Sequence, residues 1–222
     1  MNNELSDIEE KYIAAGDNVD QRIEVTKEYF YCLERKLKSS PTDAETLIRL
    51  GVLAWEPFHE QERAISYLQK ALEIDPSSVD TRFWLAKCYY HDFCDYKNAN
   101  RLLREALQID PNRADCLCIL TSVIEDTTKN LNEAIKLLEH AIQVKRDWPM
   151  LYICLIDLYL KVNNISAAQA QVLELEKLIP LPVLILPNAI ERYYETIVTG
   201  RNYKNIKMKI NEIKKEINKY KK

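Results

Sequence analysis

A chain of 222 residues with 47% hydrophobic content has the make-up of a folded soluble protein, and three glycines with eight prolines leave little room for turn-rich β structure. The net charge of −3 conceals an asymmetry: residues 201–222 hold nine Lys or Arg against two Glu, so the remainder carries −10. That distribution excludes a basic nucleic-acid footprint over the whole chain, and the longest apolar run, 181–186, contains a proline and is too short to span a bilayer.

From the amino terminus, residues 4–15 read as a modest helix with Leu5, Ile8, Tyr12 and Ile13 near one face, broken at Gly16-Asp17-Asn18. Residues 20–38 make a better one, with Ile23, Phe30, Leu33 and Leu37 at helical spacing. From Pro41 onward one pattern is written three times. Pro41, Pro76 and Pro111 are 35 residues apart, as are Leu50, Leu85 and Leu120. The same step carries Ala64 to Ala99 to Ala134, Leu68 to Leu103 to Leu138, and Ala71 to Ala106 to Ala141. A fixed period of this size marks a solenoid, in which each unit packs on its neighbours.

Each unit is predicted to be a helix hairpin. Unit one, 44–78, is capped by Thr42 or Asp43, carries Leu47, Leu50, Leu53 and Ala54, and stops its first helix at Pro57. Its second helix, about 60–74, aligns Ala64, Ile65, Leu68, Ala71 and Leu72. Units two (79–113) and three (114–148) follow the same plan, although unit three has Arg146 where the closing proline would recur. Unit four starts at Pro149, and its Leu155-to-Ala168 step is one residue shorter than the equivalent steps before it. The first three units therefore carry one extra residue in the inter-helix turn. Residues 1–40 read as a degenerate first unit. Beyond Pro180 the expectation is an irregular 181–187, a helix over 188–198 closed by Gly200, and a lysine-rich last helix from 202 to about 219. Small residues at fixed points of the second helices predict close helix crossings there.

Leu50-Gly51, Ala64, Leu68, Ala71 and Asp75-Pro76, then Leu85-Ala86, Tyr89, Ala99, Leu103, Ala106 and Asp110-Pro111, resemble the tetratricopeptide repeat (TPR) family. Leu47 and Arg82 depart from it where an aromatic is common, and Thr121 departs where Gly is. The resemblance implies an all-α, right-handed solenoid of TPR hairpins over 1–222: four units over 44–182, with a degenerate unit and a basic capping helix over 183–222. The period also resembles the RNA-binding pentatricopeptide family, but the Ala-Leu-Ala-Pro phase and the acidic body fit that poorly.

The TPR resemblance further implies that first helices line a concave groove holding a peptide or partner helix. The groove positions in this sequence are Glu45, Asp80, Asp115 and Met150; Ile48, Phe83, Cys118 and Ile153; Val52, Lys87, Ser122 and Asp157; then Trp55, Glu56, Tyr90, His91, Glu125, Asp126, Leu160 and Lys161. An aromatic stripe beside carboxylates fits a partner with apolar anchors and basic residues. Alternatively, Trp55, Phe83 and Tyr90 simply pack between helices. The Lys, Asn and Arg clamp with which some TPR domains hold a chaperone's carboxyl terminus is missing at Val52, Trp84, Asp115 and Ile119.

No chemistry-bearing constellation emerges. Cys88, His91 and Cys94 lie three residues apart but lack a fourth metal ligand, and the two thiols of Cys116-x-Cys118 fall on different helix faces. The three histidines have no nucleophile beside them, and no glycine-rich phosphate loop exists. The expectation is a non-enzyme without metal or cofactor. A polar start, and six cysteines without double C-x-x-C spacing, predict reduced thiols in a cytoplasmic protein. The predicted function is a protein-binding scaffold or adaptor; the alternative is a self-associating structural subunit that uses 181–187 or the last helix. That helix reads either as a cap sealing the solenoid or as a contact element. A chain ending at Gly200 separates the two: losing a cap lowers the melting temperature, whereas losing a contact element spares it and abolishes partner binding.

Overall fold

The computed structural model describes residues 7, 8, 10, 11, 14, 19–55, 58–178, 214 and 215, and among them there are helices and turns but no strand. They belong to two compact units, Met1–Pro111 and Asn112–Lys222. The expected break at 16–18, Glu56, Pro57 and the elements expected over 181–213 lie outside the described residues.

The first unit contains α1 (Val19–Ser39), α2 (Ala44–Trp55), α3 (Gln61–Ile74), α4 (Val79–His91) and α5 (Tyr96–Ile109). Helices α2 and α3 form one hairpin and α4 and α5 the next; α1 packs on α2, α3 on α4, and α2 touches α4. The second unit contains α6 (Ala114–Thr127), α7 (Leu131–Val144), α8 (Pro149–Lys161) and α9 (Ile165–Leu178). Its hairpins are α6 with α7 and α8 with α9, and α7 packs on α8.

The ends of the helices follow from the sequence between them. Of the two predicted caps for α2, Asp43 takes the role: its carboxylate accepts from the Thr46 backbone N–H at 3.0 Å and pairs with Lys36 of α1 at 2.7 Å. Ser78, Asp95 and Asn130 accept in the same way at the starts of α4, α5 and α7. At the far ends, Asp75 and Asp110 each donate a backbone N–H to the carbonyl of Ala71 or Ala106 at 2.9 Å, and Lys145 donates to Ala141 at 2.8 Å. The turn after α7 thus closes like the others without its proline.

Among the described residues each hairpin passes through left-handed backbone at one non-glycine position, His59 (φ 56°), Cys94 (50°), Lys129 (55°) and Asn163 (57°), and the second helix begins two residues later. In the second repeat the extra residue sits in this turn, where Asp95 N–H reaches back to Tyr89 O, and in the first Glu60 N–H reaches back to Ala54 O. The third repeat differs from expectation. There α6 runs 14 residues against 13 for α8, and both turns hold three residues, so the helix absorbs the extra one.

Every predicted alanine of the second helices is fully buried: Ala64, Ala71, Ala99, Ala106, Ala134, Ala141 and Ala168. Leu68, Leu103 and Leu138, also fully buried, stand between them. In the first hairpin the approach is close. A Cβ placed on Gly51 would lie 2.6 Å from Leu68 Cγ and 3.2 Å from the Ala64 carbonyl oxygen. The equivalent residues, Ala86 and Thr121, are buried too, and the Thr121 hydroxyl donates back to Leu117 O at 2.9 Å. The α2–α3 contact is thus built to a tight specification. Gly51→Ala is expected to destabilise the protein by about 1–3 kcal/mol through overpacking, despite alanine's better helix propensity. Urea unfolding monitored by circular dichroism checks this, and unchanged stability would show that Leu68 can move aside.

Candidate functional site

Within each unit, two first helices lie in reach of each other and present one surface. In the first unit these are α2 and α4. The Lys87 ammonium sits 4.6 Å from the ring centroid of Trp55, 4.5 Å from that of Trp84 and 5.6 Å from that of Phe83. Trp55 and Trp84 meet edge to face at 6.0 Å, Phe83 and Trp84 at 5.2 Å, and His91 stacks on Trp55 at 6.1 Å. The Trp55 indole N–H donates to the Asp92 carboxylate, which closes the cluster at the end of α4. Lys87 is only 6% exposed. A desolvated cation over aromatic faces is worth up to about 2 kcal/mol per strong pair, so this lysine organises the rings around it.

Beside the cluster, a cleft of about 680 Å³ opens between the start of α3 and the end of α4, lined by Glu60, Gln61, Glu62, Arg63, Asp92 and Phe93. Phe93 is 45% exposed there. Arg63 is held by Glu60 at 2.8 Å and by Glu34 of α1 at 2.5 Å, with its guanidinium 4.8 Å from the centroid of the Phe30 ring.

In the second unit the equivalent surface, on α6 and α8, holds ion pairs and thiols. Lys161 bridges Glu125 and Asp157, the latter at 2.7 Å. Asp115 accepts from Arg113 at 2.9 Å and from the Cys116 backbone N–H at 2.7 Å. Cys118 hydrogen-bonds the Cys154 side chain. All six cysteines are thiols; Cys32, Cys88 and Cys116 are buried, and Cys94 is exposed. Among the described residues no group of three His, Cys, Asp or Glu side chains could hold a metal.

The predicted groove residues therefore divide. Val52, Phe83 and Lys87 are buried, so they support the surface rather than offer it. Ile48, Trp55, Tyr90, Asp115, Cys118 and Glu125 are half-buried, whereas Glu45, Asp80, His91 and Asp157 are open to solvent. The anticipated line of carboxylates is largely compensated: Glu45 pairs with Arg49 at 2.7 Å, and Asp115, Glu125 and Asp157 have the partners just described.

Asp92, Phe93 and Cys154 were not among the predicted positions, and Trp84 was named only as a position where the carboxylate clamp is missing. Trp84, Lys87 and His91 are three and four residues apart, one stripe of a helix, and that spacing was the available signal. The second signal is the offset between facing side chains. Trp55 meets His91 in the first unit, and Glu125 meets Lys161 in the second, each 36 residues on. Equivalent positions recur at 35, but contacts between adjacent first helices depend on how those helices cross.

His91 has an unusual environment. Although the residue stays partly open to solvent, loss of water where Trp55 and Tyr90 cover its ring, together with the nearby Lys87 ammonium, holds its pKa below the ordinary value of 6.5, against the pull of Asp92. A depressed histidine pKa favours the fold above the unfolded value, and that contribution is lost as pH falls through the folded one. The expected outcome is an imidazole that titrates below 6.5 by NMR, and whose pKa rises towards 6.5 in Lys87→Met. A titration at or above 6.5 in the wild type would show that Asp92 dominates.

Residues 59–141 match the family model described as anaphase-promoting complex, cyclosome, subunit 3. No curated protein matches the sequence. Among solved structures, a crystal structure of MamA is 20% identical with a TM-score of 0.59, the match covering 69% of this chain and 88% of that one. MamA 41-end from Desulfovibrio magneticus RS-1 is 16% identical with a TM-score of 0.57, covering 78% and 92%. YrrB, described as a TPR protein with an unusual peptide-binding site, is 19% identical with a TM-score of 0.58, covering 83% and 90%. At these identities the likeness establishes a shared fold.

Proposed function

We propose, from the tetratricopeptide-repeat fold that this chain takes, that the protein is a non-catalytic scaffold that binds a peptide or helix of a partner protein along its first helices. The observation that carries this reading is the aromatic surface of α2 and α4. Trp55 and Trp84 remain half-buried although Lys87 and Phe83 already pack against them. Large amphipathic rings held rigid at a surface are the usual anchors of protein recognition. YrrB, described as a TPR protein with an unusual peptide-binding site, supports the same class of ligand.

The cleft beside this surface shapes the partner. Glu62 and Asp92 line it with the exposed Phe93, while Glu60 there is paired with Arg63, so the fitting ligand brings an apolar side chain and a nearby Lys or Arg. On the second unit, where Lys161 neutralises Glu125 and Asp157, the preference for basic ligands is expected to be weaker. We place the protein in the cytoplasm, as one solenoid over 1–222 with four TPR units over 44–182. None of the helices among the described residues is long and apolar enough to cross a membrane. Lys214, which pairs with Glu176 of α9, supports the reading of the basic last helix as a cap.

Binding of basic amphipathic and acidic peptide libraries, followed by fluorescence anisotropy, tests the proposal. Basic ligands should bind more tightly, with affinity falling as salt rises. Trp84→Ala should weaken them at least about tenfold, in the range of an interface anchor. Phe83→Ala is the wrong probe, because its ring is buried and its loss would disturb the fold. Preference for acidic ligands, or full affinity in Trp84→Ala with the fold intact, would defeat the reading.

A further inference from the structure

The second unit carries a thiol pair that the scaffold reading does not use. Cys118 lies on α6 and Cys154 on α8, and the two side chains are in hydrogen-bonding reach. Seven residues further along each helix, Glu125 and Lys161 are ion-paired. Two turns on the same face separate the contacts, so α6 and α8 face each other in a register that opposes the two thiols and, beyond them, the two charges. Both cysteines are half-buried, accessible from the surface yet held by their helices. Cys116, two residues from Cys118, is buried on another face of α6 and stands apart from this arrangement.

We propose that Cys118 and Cys154 are a redox-active pair that closes to a reversible disulfide, tying α6 to α8, when the protein meets a low-molecular-weight disulfide such as oxidised glutathione. In the first step the Cys154 thiolate, its proton lost to solvent, attacks one sulfur of the small disulfide. A mixed disulfide forms, and one small thiolate leaves. In the second step Cys118 gives its proton to solvent and its sulfur attacks Cys154 Sγ. The protein S–S bond forms, and the second small thiolate leaves. Two protein thiols are oxidised, and one small disulfide is reduced to two thiols. The surroundings suit Cys154 as the first nucleophile. The hydrogen bond from Cys118 lowers its pKa, and the Lys161 ammonium acts in the same direction, whereas burial, Asp157 and Glu125 oppose them.

The geometric requirement is modest. The sulfurs must close from hydrogen-bond contact to a bond of about 2.05 Å, with Cα atoms no further apart than about 7 Å. Interaxial distance follows side-chain size, and here both facing side chains are cysteine.

Peptide mapping of the full chain after exposure to oxidised glutathione, digested without reductant, tests the pair. The expected result is a cross-link between peptides 114–129 and 147–161, formed at low protein concentration, removed by dithiothreitol and lost in Cys118→Ser. Fragment spectra should place it at Cys118 rather than Cys116, which decides the matter on the wild type alone if Cys118→Ser is unstable. Glutathione on Cys118 or Cys154 without the cross-link, both thiols unreacted while the exposed Cys94 is modified, or a link to Cys116 would each overturn the proposal.

Discussion

The close approach of paired helices at small residues is the constraint on which everything else depends. In the first three hairpins the second helix offers alanine, leucine, alanine at two-turn scale, in the fourth Ala168, Val172 and Leu175, and the first helix settles onto that face. Ala64, Leu68 and Ala71 are sealed from solvent, as are their counterparts in the next two hairpins. Interior packing at this density tolerates little change in volume. In the first hairpin it leaves no room even for a methyl group at Gly51. With one face of each first helix committed to its own hairpin, other faces remain for the neighbouring first helix and for solvent.

What the two units place on those faces differs in kind. On α2 and α4 a buried ammonium is surrounded by indole and phenyl rings, and the polar atoms at the edge, Trp55 N–H and Asp92, satisfy each other. On α6 and α8 the same positions hold a lysine between two carboxylates and, two turns away, a pair of thiols. The first surface is apolar at its centre and acidic at one margin. The second is internally compensated in charge and carries a thiol pair. One backbone plan thus supports two chemistries, because nothing in hairpin packing constrains the outward stripe of a first helix.

The buried lysine also alters how charge along the chain should be interpreted. Carboxylates counted along first helices suggested an acidic groove, but Arg49, Arg113 and Lys161 take up Glu45, Asp115, Glu125 and Asp157. Ion pairs this exposed contribute little to stability. Their effect is instead on recognition: they remove local charge that a ligand would otherwise meet. In the cleft Glu60 is likewise taken up by Arg63, so the acidic character there rests on Glu62 and Asp92, near helix ends rather than along the predicted groove.

The 35-residue period, the alanine positions and the proline-marked boundaries were legible in the sequence, because they encode contacts inside one hairpin, between residues a short distance apart along the chain. Such contacts recur with the period, so repetition alone reveals them. The turn after α7 formed without its proline because backbone hydrogen bonding to Ala141, not the pyrrolidine ring, closes the helix. Contacts between consecutive first helices are a different matter. Trp55 finds His91, and Glu125 finds Lys161, one residue beyond the equivalent position. The burial of Phe83 and Lys87, the exposure of Phe93 and the meeting of Cys118 with Cys154 depend on the same geometry. Crossing angle and local turn length set that register, and neither leaves a periodic trace in the sequence, so only the tertiary structure could decide it.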